Sequence, residues 1–238
     1  EYGDKVKIIR KLFLILLLIV LIALTLFVGL GFVNYVKATN EVSISEKVEE
    51  IKHKKSYVTY DEISEELLQA TVAIEDRRFY EHHGVEYRSM ARALYQNVLA
   101  GQIRGGGSTI TQQLAKNMYY TYQPSYLRKV SEIFTAYDLE RELSKKEILE
   151  LYVNVINYGD NYIGIKAASE GYFHKEPKDL TLDEATLLAG LPQSPANYQL
   201  SNHESAARNR QVQVLNAMIR ENMIDEQQKT AVMKQVEK

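Results

Sequence analysis

Residues 75 to 84, EDRRFYEHHG, place acids, arginines, aromatics and histidines within ten positions directly after an apolar run. Zinc binding is the first chemistry to consider. Adjacent His82 and His83 cannot both face one metal from a helix, because helical zinc ligands need i, i+4 spacing, and no other histidine lies in this segment. The pattern disfavours zinc and leaves two interpretations, a salt-bridged helix end and an acid/base centre.

Glu75 is the candidate for acid/base chemistry in this stretch. It follows the apolar residues 72 to 74 and precedes Phe79, and such an environment raises the pKa of a carboxyl group by desolvation. A glutamate with a raised pKa suits general acid/base catalysis at neutral pH. In the structural alternative, Glu75 and Asp76 pair with the neighbouring arginines. The local sequence leaves both interpretations open.

A second polar block, residues 101 to 117, reads GQIRGGGSTITQQLAKN. It has the outline of a phosphate loop, but Gly107 occupies the lysine position and no strand precedes it. Ser108 is not in a nucleophile elbow, since isoleucine stands two positions later. One interpretation is a flexible surface loop. The other is a surface for an extended polar substrate, where Arg104, Lys116 and the glycine N–H groups hold an anion.

A third block lies in a predicted helix from 128 to 143. Helical spacing predicts that its core face carries Val130, Ile133, Phe134 and Tyr137. Arg128 and Glu132, four residues apart, are then expected to point away from the core. They form either a solvated ion pair of little consequence or a diphosphate site. In such a site Arg128 and Lys129 bind the anion and Glu132 holds a divalent metal.

Helix and strand signals along the rest of the sequence predict a single, mainly α-helical domain. Capping residues mark helix starts at Ser64, at Ser144 with Glu147, and at Thr181. Further helices are expected over 85–100 and 204–222, and a short one after 225. Only residues 55 to 60 alternate briefly like a strand.

An uncharged apolar run from residue 12 to 33 predicts a transmembrane helix. Basic residues cluster before it, so the positive-inside rule places the N-terminus in the cytoplasm and the rest outside. A cleaved signal peptide is the alternative, but its apolar core is expected to be shorter. We therefore expect a cytoplasmic tail (1–11), a transmembrane helix (12–34), a juxtamembrane stalk (35–56) and an extracellular domain (57–238).

The amino-acid composition limits the kinds of site that the chain can form. The 238-residue chain has no cysteine, which excludes disulfides, thiolate metal sites and a cysteine nucleophile. Its net charge of −2 gives no indication of a nucleic-acid partner.

Five blocks together resemble the peptidoglycan glycosyltransferases of glycosyltransferase family 51, over roughly residues 57 to 224. The first motif, E-D-x-x-F-x-x-H-x-G, is matched by Glu75, Asp76, Phe79, His82 and Gly84. G-G-S-T-I-T-Q-Q-x-x-K-N is matched from Gly106 to Asn117 and includes Ser108, Thr109, Gln112, Gln113 and Lys116. R-K-x-x-E is matched by Arg128, Lys129 and Glu132, and the fourth pattern includes Asn154, Gly159 and Gly164. L-L-A-G-L-P-x-x-P closes the set at 187–195 and is interpreted as scaffold.

The resemblance implies a lysozyme-like fold and an enzyme that polymerises lipid II. By similarity, Glu75 is the general base. Lys116, Arg128 and Lys129 neutralise the departing diphosphate, and Glu132 assists through Mg²⁺ or Mn²⁺. Further substrate contacts are expected from Ser108, Thr109, Gln112, Gln113, Asn117 and Arg104. Asp76, Phe79, His82, Gly84, Asn154, Gly159 and Gly164 are expected to be structural members of their motifs.

Some features depart from the family pattern or leave alternatives. Pro124 stands where family members often have a further arginine. Neither S-x-x-K nor K-T-G occurs, so we expect a monofunctional enzyme, although a piece of a longer bifunctional protein would look the same. The expected partners are lipid II, lipid-linked glycan, the cytoplasmic membrane and cell-wall synthesis proteins. A lytic transglycosylase and a non-enzymatic membrane scaffold are the alternative functions.

Overall fold

The computed structural model describes residues 2–101, 106–120 and 126–236, and within these ranges it is helical. No β-strand occurs there, only an isolated bridge between Asn157 and Ile163, so the prediction of a mainly α protein is confirmed. The α-helices of the described ranges are α1 (Tyr2–Glu41), α2 (Ile44–Lys52), α3 (Glu65–Glu75), α4 (Tyr87–Ala100), α5 (Ile110–Tyr119), α6 (Tyr126–Glu142), α7 (Lys145–Val155), α8 (Ile165–Phe173), α9 (Leu182–Gly190), α10 (Pro195–Tyr198), α11 (Leu200–Arg220) and α12 (Glu226–Val236). Short 3₁₀ turns occupy Tyr60–Glu62, Pro177–Asp179 and Leu191–Gln193.

Helix α1 is the one described helix that is long and apolar enough to cross a membrane, by length and composition. It continues past the predicted end of the span, and its C-terminal part packs against α6. Gly31 permits this approach, because a Cβ there would lie 2.5 Å from Cβ of Val130. Asn34 Nδ2 donates a hydrogen bond of 2.9 Å to Ser131 Oγ. The apolar helix is thus joined to the domain by close packing and by polar contacts.

The contact with α1 changes the predicted orientation of α6. Phe134, predicted to face the core, packs edge-on against Phe32 of α1, with ring centroids 5.1 Å apart. Tyr137 is 38% exposed, whereas Glu132, predicted to point away from the core, is only 2% exposed. The prediction for this helix was wrong because its apolar stripe serves the α1 interface, while the other side faces the domain.

Part of the segment predicted as a stalk belongs to the domain core. Ser43 caps α2 through a capping box with Glu46. The apolar stripe of α2 is buried, and the helix packs against α7. The stalk interpretation therefore does not hold for residues 44 to 52, because an amphipathic helix with a buried stripe is a core element.

The core positions the end of α3, which packs against α9 and α11, while α5 packs against α6 and α7. Ser64 starts α3 as predicted, since its Oγ accepts the N–H of Leu67 at 3.2 Å. The helix stops at Glu75 because Asp76 leaves the helical region, with φ −156° and ψ 72°. Glu75 is thus presented at the end of a buried helix.

The predicted helix starts at Ser144 and Thr181 are also confirmed as capping boxes.

Candidate active site

Glu75 lies at the C-terminal end of α3 with a side chain that is 11% exposed. Burial raises the pKa of its carboxyl group, and a hydrogen bond from Gln113 and the positive charge of Arg210 oppose that rise. Oε2 accepts the Gln113 Nε2 hydrogen bond at 2.7 Å. Oε1 accepts no hydrogen bond from the part of the chain that the structure describes. One oxygen is therefore fixed by Gln113, and the other is buried without a hydrogen bond from these residues.

Gln113 is held on its other side by Tyr152, whose hydroxyl donates to Gln113 Oε1 at 3.2 Å. Tyr152 is fully buried, and burial together with the charge of Glu75 raises the pKa of its phenol well above the usual value. A phenol that stays neutral fixes the amide orientation, so that the NH₂ group faces the carboxylate. Tyr152 thus orients Gln113, and Gln113 orients Glu75.

The first two sequence motifs interlock through Asp76. Both carboxylate oxygens of Asp76 lie within 2.9 Å of His82 Nε2, and Oδ2 also accepts the N–H of Ile110 at 3.1 Å. Thr109 caps α5 and donates its hydroxyl to the carbonyl of Gly84 at 2.6 Å. The end of α3 and the start of α5 are therefore fixed to each other, which sets the position of Glu75 relative to Gln113.

A group of charges on α6 lies next to the start of α5. Glu132 is paired with two cations, since its oxygens lie 2.9 Å from Arg128 Nε and 3.1 Å from Lys129 Nζ. Lys129 Nζ also donates to Ser108 Oγ at 2.7 Å. The structure therefore brings together residues of the second and third motifs around one concentration of positive charge.

Lys116 lies one turn after Gln113 on α5, where the charges of both Glu75 and the α6 group act on it. Burial lowers the pKa of its ammonium group, while the charge of Glu132 opposes that change and those of Arg128 and Lys129 add to it. Glu75 acts on the Lys116 charge as well. A basic surface next to a buried carboxylate can stabilise an anion that leaves while the carboxylate takes a proton.

A cavity of about 240 Å³ opens beside Glu75. Four arginines contribute to its lining, namely Arg77, Arg78, Arg92 and Arg220. Arg78 is neutralised by Glu86, which also accepts the N–H of Ser89 at 2.6 Å. Despite the opposing effect of burial, these hydrogen bonds lower the pKa of Glu86 to about 2, so it remains a carboxylate. The cavity provides a polar, positively charged space in direct contact with the candidate base.

The other residues that were predicted to contact substrate differ from one another in their surroundings. Gln112 is 1% exposed and closes the capping box with Thr109, so the structure gives it a structural position instead of a substrate-facing one. Thr109 is buried as the cap of α5 and lines the cavity. Asn117 Nδ2 donates to the carbonyl of Gln113 at 2.8 Å. Arg104 lies outside the described residues, as does Pro124.

The predicted structural members of the motifs occupy tight positions. Phe79 is fully buried beneath Lys145, whose Nζ is 4.4 Å from the ring centroid. Asn154 binds both backbone groups of Val58, at 2.9 and 2.8 Å. Gly84, Gly159 and Gly164 have positive φ, and a Cβ on any of them would lie within 3.0 Å of backbone atoms.

The predicted metal ligand, Glu132, does not form a metal site by itself. Its carboxylate is taken up by two cations. The described residues contain no group of three or more His, Asp or Glu side chains that could hold a metal ion. Mg²⁺ in phosphate sites is bound by one or two carboxylates together with substrate phosphates. The residues present fit a carboxylate that orders Arg128 and Lys129, and they do not fit a resident metal.

Arg210 on α11 is a site residue that the sequence reasoning missed. Its Nη2 lies 4.0 Å from Glu75 Oε1, and its side chain is 9% exposed. A signal was present, because Ala207, Arg210 and Val214 share one helical face and the other two are apolar. An arginine within an apolar stripe indicates a buried cation with a partner.

The chain is similar to known proteins over most of its length. The Transglycosylase family profile matches residues 41–219. Penicillin-binding protein 1F of Bacillus subtilis (strain 168) is 45% identical over 161 residues, which cover 68% of this chain and 22% of that protein. Penicillin-binding protein 1A of Neisseria flavescens is 42% identical over 184 residues, covering 77% and 23%. A crystal structure of penicillin-binding protein 1A from Haemophilus influenzae overlaps with a TM-score of 0.37 and 30% identity, over 52% of this chain and 15% of that one.

The chain thus spans less than a quarter of the length of these two curated relatives. The family profile, by contrast, covers most of the chain and contains Glu75, Gln113, the α6 charges and Arg210. The chain belongs to the transglycosylase family, the family of the peptidoglycan glycosyltransferase domains of penicillin-binding proteins.

Proposed function

We propose that this protein polymerises lipid II into the glycan strands of peptidoglycan. The donor is the growing lipid-linked glycan, and the acceptor is the 4-hydroxyl of the GlcNAc unit of lipid II. The observation that carries the proposal is that one buried carboxylate, Glu75, both lines an arginine-rich cavity and lies close enough to Lys116 to be affected by its charge. Glycosyl transfer from a lipid diphosphate needs a base and an anion-stabilising surface on either side of one reacting carbon.

Glu75 acts as the general base in this proposal. Its pKa, raised by burial, makes the carboxylate a stronger proton acceptor than a solvated glutamate. The Glu75 carboxylate takes the proton of the acceptor hydroxyl while the hydroxyl oxygen attacks the anomeric carbon of the donor. The bond from this carbon to the diphosphate breaks with its electron pair on the diphosphate oxygen. The α-linkage is thereby inverted to a β-1,4 glycosidic bond.

The cationic surface of α5 and α6 receives the leaving group. Lys116, Arg128 and Lys129 neutralise the charge that develops on the undecaprenyl diphosphate as the bond breaks. Arginine suits this role because its guanidinium can bind phosphate oxygens in pairs. Glu132 keeps Arg128 and Lys129 close together before substrate arrives. The acceptor disaccharide occupies the arginine-lined cavity beside Glu75.

The location of the protein follows from the substrate and from α1. We propose a single-pass membrane protein with a cytoplasmic N-terminus and an extracellular catalytic domain. An apolar helix packed directly on α6 keeps the diphosphate site near the bilayer, where a lipid-linked donor is held. Lipid II, lipid-linked glycan and proteins of cell-wall synthesis are the proposed partners.

Incubation with labelled lipid II in detergent or liposomes tests the reaction. Long polymer that lysozyme digests is the expected product. Soluble fragments released from finished glycan, with no polymer from lipid II, would support the lytic alternative instead. Absence of both activities would favour a scaffold.

A divalent cation remains part of the proposal as a companion of the diphosphate. Mg²⁺ or Mn²⁺ would bind the diphosphate oxygens of the substrate, where it would help to neutralise their negative charge. Chelation by EDTA should then lower the rate of polymerisation, and added Mg²⁺ or Mn²⁺ should restore it. A rate unchanged by EDTA would remove the metal from the account.

A further inference from the structure

Arg210 is a buried cation that the mechanism above does not use. Its Nη1 donates to Gln213 Oε1 at 2.7 Å, while Nη2 lies 4.0 Å from Glu75 Oε1. Its Nε atom and the Oε1 atom of Glu75 are both buried without a hydrogen bond from the described residues. Burying a charged group is costly unless it is paired, so the position of this guanidinium requires a reason.

Space for Arg210 is made by a glycine of the fifth motif. A Cβ on Gly190 would lie 2.9 Å from Cγ of Arg210. Gly190 has φ −78° and ψ −25°, which any residue can adopt, so backbone conformation does not require glycine here. The absence of a side chain instead allows the Arg210 stem to pass α9 and reach the end of α3. The motif interpreted as scaffold therefore has a specific packing function toward Glu75.

We propose that Arg210 is a positioning residue for the general base. Its guanidinium, seated against Gly190, balances the charge of Glu75 on the Oε1 side and holds the carboxylate in the orientation in which Gln113 binds Oε2. This inference rests on the proposed function of Glu75. It assigns the two carboxylate oxygens different partners: Gln113 fixes Oε2, and Arg210 attracts Oε1 without occupying it with a hydrogen bond.

The electrostatic effect of Arg210 has a definite sign. Burial raises the pKa of Glu75, and the nearby cation opposes this rise. The other ionisable groups whose charges act with that of Glu75 are Asp76 at the end of α3, Lys116 on α5, Tyr152 on α7 and Tyr158 after it. Asp76 raises the pKa of Glu75 and Lys116 lowers it, while burial keeps both phenols neutral. Arg210 and Lys116 are thus the cations that favour the ionised base.

The test compares pH profiles of lipid II polymerisation for Arg210→Gln, Arg210→Lys and Gly190→Ala. Loss of a cation at this distance is expected to move the acidic limb of the profile upward by about one pH unit. That shift is roughly a tenfold loss of rate on the limb, with recovery at higher pH. Lysine at 210 should restore much of the profile. Alanine at 190 should shift the limb in the same direction, because it displaces Arg210.

Arg208→Gln provides the matched control. Arg208 lies on the same helix but pairs with Asp183 at 2.7 Å, and its loss should leave the acidic limb in place. A uniform loss at every pH in Arg210→Gln, or a limb that does not move, would overturn the proposal. If wild type makes no polymer, the proposed function fails. The positioning role is then decided by NMR titration of ¹³C-labelled Glu75 in wild type and Arg210→Gln.

Discussion

Replacing Gln113 by leucine is the sharpest test of how the base is set. The substitution removes the 2.7 Å hydrogen bond that Glu75 Oε2 accepts, and the carboxylate cannot turn to water because its side chain is 11% exposed. A hydrogen bond to a charged group contributes about 1.5–3 kcal/mol. Since 1.36 kcal/mol corresponds to one pKa unit, the pKa of Glu75 should rise by about 1–2 units.

Both activity and stability report this rise in the pKa of Glu75, and they depend on pH in opposite ways. The loss of activity is largest at low pH, and the loss of stability is largest at high pH. Polymerisation by Gln113→Leu should fall by about ten- to a hundredfold on the acidic limb and recover as pH rises. Burial already raises the pKa of Glu75 above that of the unfolded chain, so ionising it costs stability as pH rises through that interval. The variant should therefore lose about 1.5–3 kcal/mol relative to wild type at pH above the folded pKa, and much less below about pH 4.

Tyr152→Phe is the control for Gln113→Leu, because it removes the 3.2 Å contact to Gln113 Oε1 without touching Glu75. Its effect on thermal unfolding in detergent should be smaller and largely independent of pH. The reasoning is refuted if Gln113→Leu lowers the rate by one factor at all pH values, or if its acidic limb coincides with that of wild type.

Two further predictions concern α6. Gly31→Leu should loosen the contact between α1 and α6, because even a Cβ at this position would lie 2.5 Å from Cβ of Val130, whereas Gly29 has nothing within 4 Å. The test places cysteines at Asn34 and Ser131 in this cysteine-free chain and follows disulfide formation between them. Formation should slow with Gly31→Leu and stay unchanged with Gly29→Leu. Equal slowing by both substitutions would contradict the assigned contact. Glu132→Gln should destabilise the protein by about 2–4 kcal/mol in thermal unfolding, since it leaves Arg128 and Lys129 without their buried counter-charge. Glu50→Gln breaks the exposed pair with Lys47 and should change stability by less than about 1 kcal/mol. Similar values for the two variants would show that Glu132 contributes no more to stability than an exposed ion pair does.

Local signals in the sequence predicted the helix starts well. Ser64, Ser144 and Thr181 cap helices as expected, because a capping interaction depends on residues a few positions apart. The motifs also identified most of the side chains that meet around Glu75. Spacing alone suggested an acid and an anion site, but it could not show that Gln113 bonds directly to the carboxylate.

Features that depend on long-range packing could not be predicted from local sequence signals. The apolar stripe of α6 was assigned to the core because nothing local shows that α1 covers it. Residues 44 to 52 read as polar stalk, although every third or fourth side chain is buried. Arg210 is separated from Glu75 by most of the chain, and only the fold brings them together.

Substitution of Glu75 by glutamine tests the central claim most directly. Glutamine keeps the size of the side chain and its contact with Gln113, but it cannot accept a proton at neutral pH. The account predicts that Glu75→Gln binds lipid II with little change and yields essentially no polymer from it at any pH, while wild type yields long glycan. Polymer formation by Glu75→Gln at a rate close to that of wild type would contradict the account.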